Sequence, residues 1–296
     1  MKIHKRNTID AERWDETVWK QSGMPYFYSG FLDAVNPRWQ ALISDDYGKI
    51  FPIPVKSYLG IETARQPLLC QQLGLLGGSP ADFSYSLKWL KSELRWIQMT
   101  VGLPDGFSWE ALEKLAKSQK YSLEKRMTYQ LRYEDGALPP WDQISEHHRR
   151  HIRKFQSNGF HIAPISGLAC IHFFEEHQGK LLNLPRSFYQ KFKALSEIEG
   201  EPFRVRCWGA FEGIHLHSVM AVLESSGWRI YWLSATDEVG KNRSAAHGLV
   251  YHGLVEAHES KSHWDFEGGM KAGLARFYSG FGAEALEYAY LKAWSL

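Results

Sequence analysis

Apolar positions in this chain recur every third or fourth residue in some stretches and every second residue in others, and the alternation predicts its elements. Asp10 stands before a stripe of Trp14, Val18 and Trp19, the pattern of a capped helix, and a short helix follows over 31–35. Residues 39–44, the turn 45–48 and residues 50–55 read as strand, turn, strand. A strand at 68–76, a helix at 83–94, a strand at 95–101, a helix at 109–120 and a strand at 121–133 complete the first half. Pro139-Pro140 then interrupts the pattern.

The second half repeats the order. Trp141, Ile144, His148, Ile152 and Phe155 mark a helix over 141–158, and residues 160–165 form a strand. Helices follow at 169–178 and 186–198, then strands at 203–211, 215–224 and 229–235, separated by Glu212-Gly213 and Ser225-Ser226-Gly227. A helix over 244–259, a strand at 264–267, a helix at 272–279 and a strand at 286–293 close the chain. Each half is two helices, an antiparallel strand set, then helix, strand, helix, strand. Such repetition predicts two tandem domains, 1–138 and 139–296, of mixed α/β class. The order resembles that of the GNAT acyltransferase fold, in which two parallel strands part and the exposed backbone groups hold a ligand.

Composition narrows the function. The 296 residues are 44% apolar and 23% charged, enough for two cores and unlike a disordered chain. A net charge of +2 is too small for general nucleic-acid binding, so DNA is not an expected partner. The 12 tryptophans serve as core anchors or as stacking platforms. Cys70, Cys170 and Cys207 are far apart and lack metal-ligand spacing. His215, His217, His247 and His258 have no telling carboxylate or cysteine neighbour, so no metal is expected. No apolar run approaches membrane-spanning length and no apolar segment follows the basic start, which makes a cytoplasmic protein the expectation. No serine-hydrolase elbow, Walker turn or Cys/His dyad is present.

The densest charge lies at 147–154, where eight positions hold four Arg/Lys and three His. Arg149 and Arg153 lie one helical turn apart, as do Arg150 and Lys154, so the helix presents a basic surface suited to phosphates. A second anion seat is the loop 237–246, through Lys241, Arg243 and the helix-capping Ser244. The glycine pattern that cradles the CoA pyrophosphate in many GNAT enzymes is missing there. Asp265 and Glu267 alternate along the predicted strand and so share a face, where they are placed to position or deprotonate an amine.

Three stretches together resemble the FemABX family of aminoacyl and peptidyl transferases. Gln71/Gln72-Leu73-Gly74-Leu75 is similar to its Gln-x-x-Gly strand. Arg149 to Lys154 with Gly159 is similar to its basic helix. Asp265-Phe266-Glu267-Gly268, Gly273 to Phe277 and Phe281-Gly282 are similar to its closing signature. The resemblance implies an acyl or aminoacyl transfer onto an amine of a cell-envelope precursor, often of peptidoglycan. The donor would be aminoacyl-tRNA or acyl-CoA, with no other cofactor. The acceptor would be a nucleotide- or diphosphate-linked small molecule, its phosphates near Arg149, Arg150, Arg153 and Lys154 in an interdomain cleft. The family's Lys after the closing Phe is Tyr278 here, a phenol able to donate to a developing oxyanion. The competing expectations are an acyl-CoA-dependent GNAT enzyme and a non-catalytic binding relative.

Overall fold

The computed structural model describes residues 1–134, 139–198, 200 and 202–294. They divide into two compact units, one of Met1–Met127 with the stretch from Glu287, the other Thr128–Leu286. The chain passes from the first unit to the second inside a strand and returns inside another. Residue 138, where the sequence places a boundary, lies outside the described residues, and Pro139-Pro140 falls within the second unit.

The first unit runs β1 (Lys2–Lys5), α1 (Ala11–Gln21), α2 (Ser29–Val35), β2 (Gln40–Ile43), β3 (Ile50–Ile53), β4 (Val55–Tyr58), β5 (Ile61–Arg65), α3 (Pro80–Glu93), β6 (Trp96–Val101), α4 (Trp109–Ser118) and the start of β7 (Ser122–Leu131). Asp10 caps α1 as its position predicts, accepting from the Glu12 and Arg13 amides. Ser79 and Asp82 form a capping box on α3, and Lys49 pairs with Asp82 at 2.9 Å. Strands β1, β2 and β3 make an antiparallel sheet over a core of Trp14, Phe31, Trp39 and Phe51, all fully buried. In the other sheet β5 runs parallel to β6, pairing Thr63 with Trp96.

The expected strand at 68–76 is not formed. Only isolated bridges, Leu73 with Val101 and Ile50 with Leu76, remain. Pro67 removes a ladder donor and Leu69 takes a left-handed conformation at φ 67, so the backbone leaves the sheet. The Gln66 side chain fills the gap: its Oε1 accepts from the Thr100 amide at 3.0 Å and its Nε2 donates to the Cys70 carbonyl at 2.8 Å.

The second unit continues with the end of β7, α5 (Pro140–Gln143), α6 (Glu146–Ser157), β8 (Phe160–Ile165), α7 (Gly167–Phe174), α8 (Lys180–Leu182), α9 (Arg186–Ser196), β9 (Phe203–Glu212), β10 (His215–Ser225), β11 (Trp228–Thr236), α10 (Glu238–Asn242), α11 (Ala245–Glu259), β12 (His263–Asp265), α12 (Ala272–Ser279) and the start of β13 (Glu284–Trp294). The rest of β13 belongs to the first unit, where Ala289–Trp294 pair antiparallel with β6. The helix expected over 141–158 is broken at Ile144, and Ser145 caps its second part by accepting from the His148 amide. Strand order is β7-β12-β11-β10-β9-β8, antiparallel except for the parallel pair β11–β12. Helix α11 connects that pair. Gly248 and Gly253 let it sit close, because a Cβ would stand 2.3 Å from Phe155 and 2.5 Å from Trp264. Ile152, Phe155, Leu254, Trp264 and Phe266 form the core beneath it. Among the described residues no helix is long and apolar enough to cross a membrane.

Candidate active site

The parallel strands β11 and β12 pair from Trp228–His263 to Ile230–Asp265 and then part. Two local features open the fork. The Phe266 amide turns away to the Tyr129 carbonyl of β7 at 2.9 Å. On the other side β11 bulges: Val222 faces Tyr231 and Ala221 faces Leu233, leaving Trp232 as the extra residue. Trp232 stacks on Phe192 of α9 with centroids 5.3 Å apart.

Asp265 sits at the fork's base, 1% exposed. Its carboxyl accepts from Thr128 Oγ1 at 2.5 Å, Gln130 Nε2 at 2.7 Å and the Glu267 amide at 2.6 Å. Burial raises its pKa above the ordinary carboxylate range, and the three donors oppose that rise. Thr128 Oγ1 also accepts from the Gly268 amide at 3.3 Å, so the two side chains hold the turn 266–268. Glu267 is not on the strand, contrary to the alternation read from the sequence. The strand ends at Asp265 and Glu267 is half-buried at φ 50, followed by Gly268 and Gly269 at φ 139 and 134. Both glycines hold the left-handed side of backbone space that other residues avoid.

Tyr278 of α12 closes the site from above. Its ring stacks on Phe266 at 4.5 Å, with Tyr129 at 6.0 Å and Tyr231 at 6.3 Å. Burial pushes its phenol pKa up, and Tyr231, Glu267 and Asp265 add to the rise. Burial likewise pushes Tyr231 up to about 12. The structure therefore brings Asp265, Glu267 and Tyr278 together, the two acids being close enough to act on the phenol. Tyr231 and Thr128 join them without having been singled out in the sequence, where nothing sets them apart from other strand residues.

The basic helix α6 carries two different faces rather than one surface. Arg149 and Arg153 lie over the Trp141 ring at 5.7 and 5.2 Å, Arg153 pairs with Glu146 at 2.9 Å, and Arg149 donates to the Asp142 carbonyl. On the other face Arg150 and Lys154 have no ion-pair or hydrogen-bond partner among the described residues, and both lie near His151. Lys241 and Arg243, expected as an anion seat, are ion-paired with Glu238 at 2.6 Å and Glu212 at 2.9 Å.

An imidazole cluster was not read from the sequence. His151 Nδ1 meets Ser244 Oγ at 2.8 Å, His247 stacks on His151 at 4.4 Å, and His148 stands edge-on to His247 at 4.8 Å. His148 Nε2 reaches the Phe277 carbonyl at 2.9 Å and so ties α6 to the helix that bears Tyr278. Burial, then the neighbouring imidazoles, lowers His247 to about 3. The sequence signal was the run His147, His148, His151, but its partner His247 is remote in the chain. Among the described residues no group of three or more His, Cys, Asp or Glu is arranged to hold a metal ion.

No family model and no curated protein matches this sequence. Solved structures do match it. The crystal structure of FemX aligns with a TM-score of 0.69 at 12% identity, over 98% of this chain and 97% of that one. A tandem GNAT protein from the clavulanic acid biosynthesis pathway gives 0.59 at 10% identity, over 98% and 97%. The L-PGS of Bacillus licheniformis gives 0.54 at 11% identity, over 96% and 91%. The fold is thus the mixed α/β tandem-GNAT fold that FemX also has, as the order of elements predicts.

Proposed function

We propose that the protein is an acyltransferase that moves an acyl or aminoacyl group onto an amine of a cell-envelope or polysaccharide precursor. The observation that carries this reading is the fork of β11 and β12, lined by a buried acid, a half-buried acid and a phenol. An acyl transfer needs a neutral amine, a held carbonyl and a donor for the oxyanion of the tetrahedral intermediate. In this reading Glu267 takes the proton from the amine, and Tyr278, which stays protonated at neutral pH, donates to the oxyanion. Asp265 positions the turn that presents Glu267. Arg150 and Lys154, the cations of α6 without a side-chain partner among the described residues, meet the phosphates of a nucleotide- or diphosphate-linked acceptor, while Arg149 and Arg153 play a smaller part. The reading keeps two GNAT-like domains as units of function, with Thr128 and Gln130, which hold Asp265, counted in the second.

The internal pairing of Lys241 and Arg243, with Ser244 engaged by His151, favours aminoacyl-tRNA over acyl-CoA as donor. The test offers purified protein a charged tRNA or acetyl-CoA, with an amine-bearing nucleoside-diphosphate sugar peptide, and weighs the product. A product mass raised by one aminoacyl group, from the tRNA alone, is the expected result. Transfer from the thioester alone assigns the CoA donor. No product from either donor, with the acceptor still bound, makes the protein a binding relative of the fold.

A further inference from the structure

The larger sheet of the first unit has two unlike faces. Along β6, Ile97, Met99 and Val101 are fully buried on one side, while Trp96 and Gln98 are half-buried on the other. Strand β13 repeats the pattern, with Ala289, Leu291 and Ala293 buried against an exposed Lys292 and a Trp294 that is 65% exposed. The register lays out the open face in rows. Thr63, Trp96 and Trp294 form one row, Arg65, Gln98 and Lys292 the next, and Thr100 and Tyr290 a third. Successive rows are two residues, or about 7 Å, apart along the strands. The rings of Trp96 and Trp294 adjoin at 5.2 Å. Arg65 lies over Trp96 at 5.7 Å, and Arg126 and Lys292 lie over Tyr290 at 4.2 and 4.7 Å.

Charge on this face is one-sided. Lys56, directly across from Thr63, joins Arg65, Arg126 and Lys292, and the acid among them is Glu124, shared between Arg126 at 3.2 Å and Lys292 at 4.0 Å. Glu62 of β5 and Glu287 of β13 alternate onto the other face, where Glu287 pairs with Lys125. The side chains of Lys56, Arg65 and Gln98 have no hydrogen-bond or ion-pair partner among the described residues.

We propose that this face binds an unpaired RNA strand. Bases stack on Trp294, Trp96 and the plane of Arg65, the phosphates run along Lys56, Arg65 and Lys292, and the Gln98 amide meets a base edge or a 2′-hydroxyl. Cations alone would suit any polyanion, and rings alone would suit a sugar; rows of rings interleaved with cations suit a nucleotide strand. An acidic peptide would leave the tryptophans unused. A duplex, with its bases stacked inside, would reach only the cations. The patch is local, in keeping with a net charge of +2 that is too small for general nucleic-acid binding. The inference goes beyond the acyltransferase reading and does not rest on it, because binding is read without donor or acceptor.

Fluorescence anisotropy of a short labelled single-stranded RNA, titrated with the full chain, tests it against the same strand in a duplex and an abasic strand of equal charge. Saturable binding of the unpaired strand, weakening as salt rises, is expected, about tenfold tighter than either control. Trp294→Ala should lower the affinity about tenfold, and Trp294→Phe should restore most of it. Arg65→Ala and Lys292→Ala should each lower it roughly two- to fivefold and reduce the dependence on salt. All three side chains are exposed, so an unchanged melting temperature separates lost binding from lost folding. Absent saturable binding at low salt, equal binding of the abasic strand or the duplex, or a Trp294→Ala variant that binds like the parent overturns the proposal.

Discussion

Each unit contains a helix that links two parallel strands, β5–α3–β6 in the first and β11–α11–β12 in the second, yet the ends of the two pairs differ. In the first unit the chain leaves the sheet at Pro67 and returns to it at Leu73. The opening is sealed by the Gln66 amide and by hydrogen bonds from Leu73 to Thr100 and from Gly102 to Leu73. In the second unit the opening stays a fork, with an acid at its base and a phenol above it. One duplicated layout thus yields a pair bridged by a glutamine and a pair that parts beneath a buried phenol. The difference lies in a few residues: a proline and a glutamine in one, a bulge and a Gly-Gly turn in the other. On the proposed reading, chemistry belongs to the β11–β12 fork.

The largest effect should therefore come from that fork. Tyr278→Phe keeps the ring stacked on Phe266 and removes one oxyanion donor, so kcat of acyl transfer should fall roughly 100-fold or more with little change in melting temperature. A fall in stability without loss of kcat would demote Tyr278 to a packing residue. For Glu267→Gln the expected loss is about 100-fold, relieved as pH rises and the amine loses its proton unaided. A flat ratio to the parent across pH would remove Glu267 from the proton's path.

Stability should separate the forks next. Asp265→Ala strands three buried donors and should cost about 3 kcal/mol in urea unfolding, whereas Gln66→Ala at the bridged pair should cost about 1–2 kcal/mol. Asp265→Asn should cost less than Asp265→Ala, because Gln130 Oε1, unpaired in the parent, can accept from the new amide once Gln130 turns. Equal costs for all three would mean that the buried carboxyl does not organise its turn.

Acid should act mainly through the imidazoles of the second unit. His247, at about 3 when folded against 6.5 unfolded, is neutral in the folded chain and takes up a proton on unfolding. Its contribution is present above about 6.5 and is lost as pH falls from there toward 3, at about 1.4 kcal/mol per pH unit. Denaturant curves between pH 7.5 and 4.5 should show this slope, and His247→Gln should flatten it. The smallest effect distinguishes the faces of α6. Arg150→Ala should raise KM for a diphosphate-linked acceptor about tenfold, and Arg153→Ala, already paired with Glu146, only two- to threefold. The reverse ranking would place the ligand over Trp141.

Much of the fold was legible because periodicity and caps are local. Trp14 and Val18 behind Asp10, the long helix before β12, and the final strand stand where the spacing puts them, whereas Trp19 of the same stripe is 60% exposed. The strand at 68–76 misled because its apolar run is real, but Pro67 and the left-handed Leu69 break the ladder. The helix over 141–158 misled because Ile144 continues the stripe although its backbone is extended. At the site, the spacing of Asp265 and Glu267 suggested equals on one face. The strand stops between them, so one is buried with three donors and the other sits in a turn.

What the sequence determined by itself is most of the order of elements, though not β1 or β5, together with their doubling and the charge of α6. Hydrogen bonding along a helix, alternation along a strand and the Gly-Gly turn at 268–269 act over a few residues and leave their mark in spacing. Only the tertiary structure decided which parallel pair opens, which acid loses water, which cations of α6 stay unpaired and that His247 joins His148 and His151. Each depends on a partner far along the chain: Thr128 for Asp265, Phe266 for Tyr278, Ser244 for His151. Burial and pairing, which set the charge state of every one of these groups, exist only once those partners meet.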